Sequence, residues 1–89
     1  MQSPTPGRTV NYVMKDGQIR PLVIVHVFPS NDPDTQMVNG HLLLDGSNDR
    51  HNNPAREPKE GEHDPLIQWA TSVHHDHGKA VGTWHWPNR

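Results

Sequence analysis

The chain has 89 residues, only 30% of them apolar, with nine prolines and seven glycines. That is material for one domain with a thin core, since a domain of this size buries only about 60–65% of its unfolded surface. The absence of cysteine excludes disulfides and thiolate zinc sites, and a formal charge of −2 with no clustered Lys or Arg disfavours binding driven by a nucleic-acid backbone.

Small scaffolds make up for thin cores with disulfides, metals or self-association. With disulfides excluded, a homo-oligomer or docking onto a larger assembly is the expected support. The longest apolar run is Leu22–Val25, far short of the roughly 20 residues of a membrane span. The first residues, Met1-Gln2-Ser3-Pro4, lack the charged and apolar regions of a signal peptide. A protein of the cytoplasm, or of a particle assembled there, is expected.

Residues 1–8 read as a flexible leader and 9–89 as a single small β domain. Thr9–Met14 (TVNYVM) is β-prone and ends at Lys15-Asp16-Gly17, a turn signal. Ile19–Phe28 gives the strongest strand; Leu22-Val23-Ile24-Val25 is too short and too β-branched for a helix. Pro21 belongs at a strand entrance or on an edge. Turn formers fill Pro29–Thr35, and Gln36–Leu44 resumes as a strand with Asn39-Gly40 marking a bulge or tight bend.

Asp45-Gly46-Ser47-Asn48-Asp49 closes that strand. Residues 50–64 contain one apolar residue, Ala55, and read as an exposed, flexible polar loop. From Leu66 the chain alternates: Ile67, Trp69, Thr71, Val73 and His75 on one face, Gln68, Ala70, Ser72 and His74 on the other. Trp69 is thereby expected in the core. A turn at His75-Asp76-His77-Gly78-Lys79 precedes a last short strand, Thr83–Trp86, with Trp84 and Trp86 on one face and His85 opposite. About five strands and no helical spacing predict an all-β protein: a small antiparallel β-barrel or curled sheet, SH3-like.

Catalytic signatures are missing. There is no Gly-x-Ser-x-Gly elbow and no His-Glu-x-x-His, and Ser47 has no base beside it. The protein is expected not to be an enzyme. His74, His75 and His77 surround Asp76, but adjacent strand residues point to opposite faces and do not converge on a metal. The sequence therefore predicts no metal and no cofactor.

Two segments could recognise a ligand. Asp45, Asn48 and Asp49 offer acceptors and amide donors within five residues, against the plainer reading of a self-satisfied turn. Trp84 and Trp86 are either core filler or a stacking surface on an edge strand. Both segments fall near strand ends, where the mouth of a barrel would bring them together.

The RPLVIVHV strand, the VNGHLLLDGSND segment, WATSVHHD and the closing GTWHWP resemble a group of short phage and prophage proteins over Asn11–Asn48 and Ile67–Pro87. The hexapeptide is unusual, and the loop at 50–64 is longer than in that group. The resemblance implies a viral origin and a compact β module, with no activity or functional residue to carry over.

A phage module of this size suits two functions. As an anti-defence sponge it would sequester a small nucleotide-type immune signal. Trp84 and Trp86 would stack on the base, Asp45, Asn48 and Asp49 would bond hydroxyls or amines, and Arg20 or His85 would meet a phosphate. As a virion accessory, decorating a capsid or joining head to tail, it would add a Trp-bearing edge to virion subunits.

Overall fold

A computed structural model describes residues 4–30, 36–61 and 65–87. Five strands form one antiparallel sheet: β1 Thr9–Val13, β2 Ile19–Val27, β3 Met37–Leu43, β4 Ile67–His74 and β5 Trp84–His85, in the order β4-β3-β2-β1-β5. There is no α-helix among the described residues, only a 3-10 turn at Gly46–Asp49. The all-β, five-strand expectation holds.

Each strand forms for a local reason. Gly17 takes φ +88° and lets Met14 close the β1–β2 hairpin by donating its N–H to Gln18 O. β2 and β3 supply Leu22, Ile24, Val38 and Leu42 to one face, and β1 adds Val10, beside Leu22, and Tyr12, beside Arg20, to the same face. With Met14, Ala70, Val73 and Trp84 these residues make the core on the concave side of the sheet.

The curl comes from two bulges set around Asn39-Gly40. On β2, Val25 is an extra residue between the pairs Ile24↔Gly40 and His26↔Asn39. On β4, Thr71 and Ser72 together oppose Asn39, between Val38↔Val73 and Gly40↔Ala70. Ser72 has φ +54° and donates its N–H to the Asn39 side-chain oxygen at 2.7 Å. Gly40 has to be glycine, because a Cβ there would lie 2.3 Å from the Val23 carbonyl oxygen. Such bulges bend a strand and sharpen its twist.

The curl brings the two outer strands together at one point. His75 forms a parallel bridge with Trp84, and Asp76 donates its N–H to Trp84 O at 3.0 Å. The sheet is thus closed at this seam and open on its Ile67–Ala70 side, a half-barrel.

The β4 bulge also corrects the facing of Trp69. Strict alternation would place Trp69, Val73 and His75 together inside. The extra residue reverses the phase, so Ala70, Val73 and His75 are buried and Trp69 is 44% exposed.

Residues 4–8, part of the expected leader, lie against β2: Gly7 donates to Ile24 O and Ile24 donates to Arg8 O. Residues 1–3 lie outside the described residues. Residues 50–61 of the expected polar loop run as successive turns, with Asn53 buried and Asn52 tied through O and Oδ1 to the amides of Lys15 and Asp16. Residues 62–64 lie outside the described residues.

Candidate functional site

The sequence pointed to a polar loop and an aromatic terminus. For each, a recognition role was set against a structural one, and each is engaged with the protein itself.

Asp49 is buried, and Arg20 approaches it in a bidentate pair, Nε to Oδ2 at 2.8 Å and Nη2 to Oδ1 at 3.0 Å. Asp49 also accepts the N–H of Asp45 at 2.7 Å and the Asn52 amide at 3.4 Å. Burial alone would push its carboxyl up. The Arg20 hydrogen bond, the Asp45 N–H, the Arg20 charge and the Asn52 amide outweigh that and hold it below the ordinary carboxylate range. Arg20 Nη2 also donates to Gln18 Oε1, and Nη1 donates to Ile19 O. Asp45 and Asn48 are exposed, and their side chains bond each other at 3.1 Å. The segment is a turn that satisfies its own groups.

At the other segment, Trp84 has no solvent exposure. It fills the core and donates its indole N–H to Gln36 O at 3.2 Å. A ligand has no face of this ring to stack on. The edge-strand expectation misses it because the seam with His75 covers β5. Trp86 is half-buried, edge-on to Trp84 at 5.2 Å, with the Arg8 guanidinium 5.2 Å from its ring centre. His85 is buried on the opposite face beside Asn11.

The two segments do not meet at a barrel mouth. Arg20 and Trp84 both lie opposite Tyr12, one on either side of β1, about two strand spacings apart. β5 then carries Trp86 toward Val10, away from the Arg20 end. The space between Asp49, Arg50, Asn53, Arg56 and Lys59 measures about 20 Å³, enough for a single water. His75 and His77 do come together, ring centres 4.5 Å apart, yet no three His, Asp or Glu groups among the described residues are placed to hold a metal ion.

The feature with space for an occupant is elsewhere. Where the half-barrel gapes, Tyr12, Ala70 and Val73 floor a groove of about 390 Å³ rimmed by Trp69, Pro54 and Val81. Ala55, Thr71 and Gly82 complete its lining, and none of these nine residues carries a charge at neutral pH. Burial raises the Tyr12 hydroxyl above its ordinary pKa, so that group stays neutral.

Beside the groove runs a free strand edge. Leu44 donates its N–H to Leu66 O, so the even-numbered residues of this stretch bond β3. Antiparallel geometry then turns the backbone N–H and C=O of Ile67 and Trp69 outward. The Trp69 carbonyl is met there by the Gln68 side-chain amide at 3.1 Å, a local substitute for a strand. Exposed Leu66, Ile67, Trp69 and Val81 add apolar surface along the same side. Sequence reasoning missed this site because the phase reversal at Ser72 left no apolar or charge signature of its own. The uncharged run from Ile67 to Val73 was the available clue, since exposed edges usually carry charge.

No protein-family model matches the chain, and neither a curated protein nor a solved structure matches it. Among the described residues no helix is long and apolar enough to cross a membrane.

Proposed function

We propose that this is an accessory protein of phage type that acts by binding without turnover. Its ligand is an extended, uncharged segment of another protein, a subunit of a larger particle, laid along β4 and over the adjoining groove. The observation that carries this reading is the outward-facing backbone of Ile67 and Trp69 beside a charge-free groove. An added strand would pair those N–H and C=O groups, displacing the Gln68 amide from the Trp69 carbonyl, and alternate side chains would enter the groove. A charged segment would lose hydration there with no partner to replace it. A nucleotide-type ligand has less to hold it: Trp84 is sealed in the core and Arg20 and Asp49 are bound to each other.

The test is co-sedimentation of the purified chain with phage particles that lack it. The wild type should bind at a fixed stoichiometry. Trp69→Lys, which places a cation on an exposed rim position and spares the core, should weaken binding at least about tenfold, the equivalent of about 1.4 kcal/mol. Equal binding by the variant, or none by the wild type, would reject the reading. Self-association of the chain that Trp69→Lys abolishes would reassign the edge to a second copy.

A further inference from the structure

Five polar side chains among the described residues are buried: Gln36, Asp49, Asn53, His75 and His85. The first three are matched. Gln36 donates to Phe28 O, Asn53 accepts from the Ala55 N–H, and Asp49 accepts from Arg20. The two histidines are different: Nδ1 of His75 and Nδ1 of His85 are both buried with no hydrogen-bond partner. Such orphaned groups are uncommon in folded proteins, and here two of them sit on either side of one residue. His75 packs its ring 4.6 Å from that of Trp84, and His85 follows Trp84 in β5.

Trp84 is where the half-barrel closes. Toward β4 and β3, β5 is held by the Asp76 N–H to Trp84 O and the Trp84 indole N–H to Gln36 O, which also takes the His75 N–H; toward β1 it is held by the short ladder at Asn11 and Tyr12, by Val13 N–H to Thr83 O and by Gly82 N–H to Val13 O. β5 itself is two residues long. On the far side, His85 Nε2 lies 3.5 Å from Asn11 Nδ2. With the Asn11 amide nitrogen facing it that nitrogen accepts, so a proton added there meets another N–H unless the amide turns over. In that tautomer the existing proton sits on Nδ1, which is buried and already without an acceptor. A buried cation so placed is costly, and two residues of strand do little to oppose it.

We propose that the seam is a proton-operated latch: proton uptake by His85 releases β5 from β1 and from the end of β4 and opens the groove at its Tyr12–Val73 end. Opening follows from the imidazoles alone, while its consequence for a docked segment rests on the binding role proposed above.

The charges around the latch are accounted for. Burial first, then the positive charges of Lys79 and His75, push the His85 pKa below its ordinary value. His77 stands edge-on to His75 at 4.5 Å. The Asp76 carboxylate is occupied by the amides of Gly78 and Ala80, which, with the charges of His75 and His77, hold it low despite some desolvation. Asn11, Gln36 and Trp84 are neutral. Because the closed seam depresses His85, the open form binds the proton first. The seam is therefore fully stable above about pH 6.5, the ordinary histidine value, and loses stability as pH falls below it.

The experiment is amide hydrogen exchange by NMR on the full chain from pH 7.5 to 5.0, corrected for intrinsic rates. The opening equilibrium read at the Asp76 and Gly82 amides should rise as pH falls below about 6.5, by at most about tenfold per pH unit, the limiting slope of one linked proton. Amides of the central β2–β3 ladder should not follow. His85→Gln, which keeps an acceptor for Asn11 and cannot take up a proton, should flatten the dependence. Should that variant fail to fold, the His85 ring nitrogens of the wild type decide. Titration near pH 6.5 with the Asp76 and Gly82 amides still protected would overturn the latch. No partner enters this measurement, so its failure leaves the co-sedimentation result standing, and the reverse.

Discussion

Replacing Asp49 by alanine is a sharp test of whether the DGSND segment is scaffold or ligand site. In the structure this carboxylate accepts from Arg20 Nε and Nη2, from the Asp45 N–H and from the Asn52 amide. Breaking a buried ion pair by removing one partner costs about 3–5 kcal/mol. Arg20 keeps Gln18 and Ile19 as partners, and its side chain is 18% exposed, so the low end applies, about 3 kcal/mol. At roughly 0.05–0.15 kcal/mol per residue, a chain of 89 residues holds roughly 4–13 kcal/mol in all. The substitution therefore removes a large share, lowering Tm by about 12–24 °C. Thermal and urea unfolding followed by circular dichroism measure this directly. Arg20→Met combined with Asp49→Leu should recover part of the loss, leaving about 1–2 kcal/mol for the orphaned Asp45 amide. A cost below about 1 kcal/mol for Asp49→Ala would refute the scaffold role.

Three further outcomes are expected. Gly40→Ala sets a Cβ 2.3 Å from a backbone oxygen that cannot rotate away; strain of roughly 3 kcal/mol should appear as a lowered urea midpoint. Trp84→Ala should cost roughly 3–5 kcal/mol and Trp69→Ala under about 1 kcal/mol, a contrast that equilibrium unfolding reads and that reversed values would contradict. On acidification Asp49, depressed in the folded chain, contributes stability above its unfolded value of about 3.9 that is lost as pH falls through that value toward the folded one. Melting temperatures of Asp49→Asn should accordingly flatten between about pH 5 and 2.

Strand identity was readable because TVNYV, IRPLVIVHV and the stretch after Leu66 carry β-branched residues bounded by turn formers. Even the bend at Asn39-Gly40 was visible, since glycine in a strand marks a bulge or close approach. Its consequences were not. The matching bulge on β4 depends on Ser72 taking a left-handed conformation and bonding Asn39, thirty-three residues away, and no local signal announces that. One inserted residue then exchanged the faces, sending Trp69 out. Trp84 went the other way because seam closure is a tertiary event between β4 and β5. The polar loop looked like a recognition element because its partner Arg20 is distant in sequence and meets it only in the folded sheet.

Hydrogen exchange along β4 in the isolated chain tests the open edge most directly. Gln68 and Ala70, whose amides turn toward β3, should be protected. Ile67 and Trp69 should exchange close to the rate of an unstructured amide. Strong protection at Ile67 and Trp69 in the monomer would mean the edge is already covered, and the proposed docking strip would have no free backbone to offer.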